Sequence, residues 1–340
     1  VLAGFLALLS AATFAFNNAS LRRGVLTGSV WQAMAITIPL GAPVFFLAAL
    51  LTGTLGSITE FSQYSVLILS ASGILHFVWG RYCNYRATRA IGTNLTAPIQ
   101  QVNLIISLAL AIIVLGEVLT PLRVLGIILV LAGPYFAMRA DKKPVAETVA
   151  EASVGAPEQE GPESTDKPAP FVPKWTEGII FSLLSATGYG SSPILIRLAL
   201  EGKGLSDSIA AGLIAYLSST AFFALFLLWP GRLREAFAVN RESAKWFTIS
   251  GILVSFSQLF LFMAQSIAPV SVTAPISRLS ILFRLYFSRL LNPQHEVFGG
   301  QIIIGTVVSL AGAIILSVSV ETVAAYLPGA WQPLLHWHWP

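Results

Sequence analysis

The chain repeats itself, and each copy holds an odd number of apolar segments. Leu8-Leu9-Ser10-Ala11 returns as Leu183-Leu184-Ser185-Ala186, and Arg22 returns as Arg197. Gly73-Ile74-Leu75 returns as Gly251-Ile252-Leu253, and Thr96-Ala97-Pro98-Ile99 as Thr273-Ala274-Pro275-Ile276. Gly126 and Leu131-Ala132-Gly133 return as Gly305 and Leu310-Ala311-Gly312. The offset drifts only from 175 to 179, so the halves share one plan with short insertions. Five spans per half force the second half upside down relative to the first. Inverted repeats of this kind build secondary transporters, which alternate access around a site between the halves.

The apolar segments are spans because 55% of the 340 residues are hydrophobic and only 11% are charged, against about a quarter charged in a soluble domain. Runs of about 20 apolar residues cross a bilayer core. Ten are predicted, at 1–20, 30–52, 64–88, 94–116, 122–138, 176–198, 207–229, 244–266, 271–291 and 297–319. The runs are too long and too uniformly apolar for barrel strands, and backbone groups in lipid must pair within their own segment. The predicted fold is therefore an all-α integral membrane protein, ten transmembrane helices as two inverted five-helix repeats.

The predicted organisation is a first repeat at 1–139, a linker at 140–174, a second repeat at 175–320 and a Trp/His-rich tail at 321–340. The linker is rich in Pro, Ala, Glu and Lys without apolar periodicity, which reads as disorder. The chain begins without Met, almost inside its first span, which predicts further sequence before Val1. The single cysteine, Cys83, excludes an internal disulfide and a multi-cysteine metal site. His336 and His338 in the tail are a weak metal pair; no metal or cofactor is expected. The net charge of +4 is scattered at helix ends and is no nucleic-acid footprint.

Loop charges orient the chain. One side collects Arg22, Arg23, Arg86, Arg89, the linker lysines, Arg232, Arg234, Arg241, Lys245 and Arg289. The other holds only Arg123, Arg197 and Lys203. The basic side is expected in the cytoplasm, which puts the linker inside and both termini outside. Trp31, Trp175, Trp229 and Trp246 fall at predicted span ends on one side, as interfacial anchors do.

Candidate site residues gather on a few spans. Pro98 and Pro275 sit near the starts of equivalent spans, and paired Pro-interrupted spans point to a transport site. They would act as hinges and release the carbonyls of Asn94 and Ser271 for other partners. Gln100, Asn103 and Ser107 share one helical face, as do Arg81, Asn84, Tyr85 and Thr88. Arg284 shares a face with Ser277 and Ser288, with Arg278 alongside. A mid-membrane arginine costs roughly 2.5–3.5 kcal/mol on insertion scales and usually faces a cavity or partner. No Asp or Glu falls at mid-span, so a carboxylate that trades a proton for a cationic drug has no candidate. Arginines without acids favour a carboxylate or phosphate substrate.

His76 is the one mid-span group that titrates near neutral pH. It reads either as a proton-coupling site or as a core histidine bonded to a neighbour. Asn17 and Asn18 match Ser191 and Ser192, and Gly188-Tyr189-Gly190 permits close helix approach with Tyr189 free to stack on a ligand. Gln258, Gln265 and Tyr216 complete the set. Each has a plainer reading as packing or an interhelical hydrogen bond.

The run Ala97-Pro98 through Leu115-Gly116-Glu117, then Gly126 and Ala132-Gly133, resembles the EamA-like branch of the drug/metabolite transporter superfamily. The second copy reads Ala274-Pro275, Glu296, Gly305 and Ala311-Gly312, departing in Asn292-Pro293-Gln294-His295 before its Glu. Glu117 and Glu296 match the branch's recurrent Glu and read as caps of the helices that follow them or as topology pins. The resemblance implies a central cavity between the halves, open to one side at a time, and cytoplasmic termini, against the loop charges. It implies no substrate.

The resulting expectation is a secondary transporter, an exporter as in that branch, of a small polar metabolite, anionic or amino-acid-like. Arg278 and Arg284 would hold the anionic group and Gln101 and Asn103 would orient the rest, with Arg81, His76, Tyr189, Asn17 and Gln258 lining the site. Its partners would be the small molecule, the lipid bilayer, and protons or a counter-substrate, with no nucleic acid; a monomer suffices. The expected location is the bacterial inner membrane. The alternatives are an exporter of cationic drugs, a membrane protein that binds without flux, and a lipid-cleaving enzyme built on His76 and a nearby serine. The non-enzyme reading is preferred.

Overall fold

The computed structural model describes residues 2–116, 119–138, 171–200, 207–267 and 276–318, with 321, 326 and 328. Pro275, Glu117, most of the linker, and His336 and His338 fall outside them.

The described residues form helices. The first half runs α1 (Leu2–Val25), α2 (Val30–Thr37), α3 (Gly41–Leu51), α4 (Gln63–Gly73), a π-helical segment (Ile74–Gly80), α5 (Arg81–Gln100), α6 (Val102–Leu115) and α7 (Pro121–Met138). The second runs α8 (Trp175–Ala199), α9 (Asp207–Leu227), α10 (Arg232–Phe237), α11 (Arg241–Ile267), α12 (Ser280–Leu291) and α13 (Gly300–Ser317).

Eight segments are long and apolar enough to cross a membrane. One of them, Gln63–Gln100, has 38 residues, roughly 57 Å at helical rise and too long for one crossing. It breaks at Gly92 (φ 80°, ψ 171°). The third span ends there, and the fourth runs on through a turn at Gln101 into α6. With α12 as the ninth, the predicted ten spans are present. Large apolar side chains such as Leu51, Ile113, Leu131 and Leu228 lie on the outside, where lipid replaces water.

Local chemistry explains the ends. Ser29 and Gln32 form a reciprocal capping box at the start of α2, Ser62 caps α4, and Asn240 accepts from the Ser243 amide at the start of α11. Gly116 closes α6 in the left-handed conformation. The predicted second span is not one helix: Pro39 separates α2 from α3, because proline has no amide to give. The Gly41 amide then turns to the Ile38 carbonyl and leaves the Thr37 carbonyl open. Pro98 is held inside α5, and the chain bends three residues later, where the Gln101 amide bonds the Pro98 carbonyl.

The halves interleave. The span formed by α1 packs on α11, and its repeat equivalent α8 packs on the third span. Likewise α1 meets α12 while α8 meets α6, and α7 meets α13. Inversion is visible in the residues. Gly126 lies against Gly312 and Gly133 against Gly305, so the early glycine of one repeat meets the late glycine of the other and the two helices run antiparallel. In the same way Ser10 bonds Ser257 and Asn17 bonds Ser250.

The α7–α13 contact depends on absent side chains, as close membrane helix pairs do. A Cβ at Gly133 would stand 1.8 Å from Ser309 Oγ and 2.7 Å from the Gly305 carbonyl oxygen. Gly133→Leu is expected to lower the melting temperature in detergent by an amount equivalent to about 1–3 kcal/mol of overpacking. An unchanged melting curve would show that this contact does not hold the halves together.

The basic loops gather at one end. Arg22 bonds the Thr88, Arg89 and His295 carbonyls. Arg86 pairs with Glu177 at 2.5 Å, the Lys174 amide bonds the Ala90 carbonyl, Gln32 bonds the Glu235 carbonyl, and Arg232 stacks on Trp31. Lys174, the last residue assigned to the linker, is thus bonded to the first repeat. Arg22, counted with the loop charges, is fully buried at 0% exposure.

Candidate functional site

Two polar clusters lie inside the bundle. The first is built on the third span where its helix widens. A π-helical turn carries an extra residue and often marks a functional site; here it holds His76 and delivers Arg81 to the interior. Arg81 Nη1 donates to the Thr37 carbonyl at 2.9 Å, the group opened by the break at Pro39. Nη2 lies 3.5 Å from the Tyr216 hydroxyl, and the guanidinium rests over the Phe77 ring. Tyr85 and Thr37 exchange a hydroxyl hydrogen bond of 2.9 Å. Gln100 Nε2 donates to Asn84 Oδ1 at 2.7 Å and to Ser185 Oγ at 3.2 Å, and Ser185 donates to the Gly80 carbonyl.

Tyr189 is set against this cluster by its flanking glycines. A Cβ at Gly188 would stand 2.6 Å from the Leu75 carbonyl oxygen, and one at Gly190 2.6 Å from that of Asn103. The two glycines let α8 touch the third and fourth spans at once. Tyr189 between them lies on the His76 ring, centroids 4.6 Å apart. His76 Nδ1 has no hydrogen-bond partner among the described residues. The expectation of a core histidine bonded to a neighbour does not hold for that nitrogen.

The second cluster is on α12. Arg284 is 5% exposed, and its Nε and Nη1 have no hydrogen-bond partner among the described residues. Its guanidinium lies 5.9 Å from the Phe14 ring centroid. Arg278 Nε and Gln101 Oε1 are likewise buried without a partner. Among the described residues three arginines, Arg22, Arg81 and Arg284, are buried, and one carboxylate, Glu296.

Other candidates stand apart. Asn17 Oδ1 accepts from Ser250 Oγ at 2.6 Å, so it ties α1 to α11. Asn103 and Gln258 are half-buried. Pro98 is buried within α5, whose backbone breaks on either side of it. The carbonyl handed from a broken span to another helix is that of Thr37, where Asn94 was expected.

Glu296 requires a correction. It does not cap the helix that follows it. Its Oε1 accepts from the Thr93 amide at 2.6 Å and Thr93 Oγ1 at 2.7 Å, and its Oε2 from the Asn94 amide at 3.1 Å. It therefore caps the helix that restarts after Gly92 in the other repeat, where a carboxylate meets the positive helix end. Arg22 Nε stands 3.7 Å away. Burial, then the Arg22 and Arg23 guanidinia, hold His295 below the ordinary histidine range, leaving Arg22 as the cation of this group.

Thr37 and Ser185 were not among the sequence candidates. Pro39 was the available signal for the first, and the returned Leu-Leu-Ser-Ala motif for the second.

No curated protein matches the chain. A solved structure described only as a crystal structure of a protein is 17% identical and superposes with a TM-score of 0.54 over 92% of this chain and 94% of that one. At that identity the likeness carries the fold alone. The model of the EamA-like transporter family matches residues 1–139 and 176–318. The chain therefore belongs to the EamA-like transporter family of the drug/metabolite transporter superfamily, whose members are transporters built into the membrane.

Proposed function

We propose that the chain is a secondary transporter of a small polar metabolite bearing a carboxylate or phosphate, moved by alternating access, with Arg284 holding the anionic group. The observation that carries this reading is that Arg284 Nε and Nη1 are buried with no hydrogen-bond partner among the described residues. A guanidinium donor of this kind gives a carboxylate or phosphate oxygen a charge-assisted hydrogen bond. A ligand that supplies the missing acceptors gains more inside the protein than at its surface, because the donors are already stripped of water. Arg278 Nε and Gln101 Oε1 are further unpartnered groups for the same ligand. His76 Nδ1 and Tyr189 offer a second polar face at the other cluster. A proton gradient or exchange for a second substrate would drive the cycle, and the bacterial inner membrane is the expected location.

The rivals differ in what crosses the membrane. Purified protein in proteoliposomes is to be assayed for counterflow of radiolabelled aspartate, lactate and glucose 6-phosphate, and of the cationic dye ethidium. Flux of one anion, lost in Arg284→Ala, is the expected result. Flux of ethidium that survives Arg284→Ala would overturn the reading in favour of cation export, and selective binding without flux would leave a non-transport protein.

A further inference from the structure

We propose that Arg22 and Glu296 form a latch that closes the linker end of the transport path, and that Phe171 at the end of the linker covers it. The proposal rests on the alternating-access reading above.

The latch joins separate pieces of the chain through polar groups, beside an apolar cluster of Ile91, Leu95, Leu285, Val297 and Ile302. Glu296 receives the Thr93 and Asn94 amides and the Thr93 hydroxyl, and Thr93 Oγ1 also meets Ser288 Oγ of α12 at 2.7 Å. Arg22, at the end of α1, reaches the Thr88 carbonyl at 2.8 Å, the Arg89 carbonyl at 3.0 Å and the His295 carbonyl at 2.5 Å. Five elements are thereby tied at one end: α1, the end of the third span, the start of the fourth, α12 and the turn before α13. The Arg22 guanidinium carbon lies over the Phe171 ring, 4.2 Å from its centroid.

Packing differs between the two ends. Residues 91–100, beside the latch, are buried without exception. From Val102 to Leu110, further along the same span, none is buried, and Ile276 to Ser280 on the equivalent span are all half-buried. Among the described residues the fourth span is thus packed tightly at the linker end and less tightly further along.

The contacts are also of a kind that can be exchanged. Among the described residues, Glu296 alone caps this helix start from the other repeat. When the halves rock apart, the Thr93 and Asn94 amides and the Arg22 fork would pass to water at the opened end. An interdigitated apolar contact has no such replacement partner, so a polar tie suits a joint that must part and re-form.

The experiment follows a buried position behind the latch. Cys83 is the single cysteine, so Cys83→Ala gives a thiol-free background, and Thr88→Cys places one thiol beneath Arg22, where Thr88 is 1% exposed. Labelling by a membrane-impermeant maleimide is measured in nanodiscs, without any substrate. Glu296→Gln is expected to speed labelling about tenfold or more, the effect of losing a charge-assisted hydrogen bond. Phe171→Ala, which leaves every tie between spans intact, is expected to speed it about two- to fivefold through loss of the cation–π cover.

Wild-type labelling rates in a folded Glu296→Gln protein would overturn the latch. Should that variant fail to fold, Phe171→Ala and Thr93→Val decide, and unchanged rates in both overturn it equally. Faster labelling in a protein that shows no flux of any compound would support the latch and refute the transport reading, so the two fail separately.

Discussion

Arg284→Met is expected to raise the melting temperature of the empty protein and to abolish its stabilisation by anions. The two effects share one cause. Arg284 is buried to 5% exposure with Nε and Nη1 unpartnered. A desolvated ion costs several kcal/mol when its attraction to neighbours does not repay it. Methionine fills much the same volume without a charge, and such exchanges at buried ionic sites are often neutral or stabilising by about 1–4 kcal/mol. Glu296 does not become an orphan in the variant, because it retains the Thr93 and Asn94 amides and Arg22. The wild-type protein should gain about 2.7 kcal/mol from an anion present at 100 times its Kd, and the variant nothing. Arg284→Lys keeps the charge but loses the fork, and is expected to bind weakly. The check is a thermal melt of each variant with and without aspartate, lactate and glucose 6-phosphate. A fall in melting temperature for the empty methionine variant would mean that Arg284 is a structural bond and not a vacant anchor.

The membrane fold was legible because its signals are local or periodic. Apolar runs mark the spans, the returned Gly126/Gly305 and Gly133/Gly312 mark the repeat, and the odd span count gives its inversion, which the structure displays as Gly126 against Gly312 and Gly133 against Gly305. The face Arg81, Asn84, Tyr85 and Thr88 was legible for the same reason, since helical spacing alone puts four polar groups on one side, and all four are buried. What failed to show were pairings at long range. Glu296 reaches Thr93 across 203 positions, and no spacing rule connects a glutamate before one helix to the amides that start another in the opposite repeat. Arg22 at a span end looks like any loop cation until its carbonyl partners are in place. Asn17 looked like a ligand for a substrate because its partner, Ser250, is 233 positions away. The break at Pro39 was present in the sequence, but its consequence depended on Arg81 arriving beside it.

Gly92→Ala is expected to cost the protein most of its folded yield, by a route that a second substitution can expose. Gly92 holds φ 80° and ψ 171°, a region open essentially to glycine and costing other residues about 1–3 kcal/mol. The added methyl would also stand 2.4 Å from Glu296 Oε2 and 2.9 Å from its Cδ, so the carboxylate must leave. Its departure strands the Thr93 and Asn94 amides and the Arg22 charge inside the protein, and lost hydrogen bonds to a charged group cost about 1.5–3 kcal/mol each. The sum approaches the whole stability of an ordinary domain, about 5–15 kcal/mol. If the carboxylate carries the larger share, Gly92→Ala should be markedly milder when Glu296 is already alanine, because the clash and the displaced bonds are then gone and only backbone strain remains. A double-mutant cycle on melting in detergent measures this directly, and contacting residues of this kind typically couple by about 0.5–3 kcal/mol. Strict additivity would mean that Gly92 acts through its backbone alone and not through the Glu296 carboxylate.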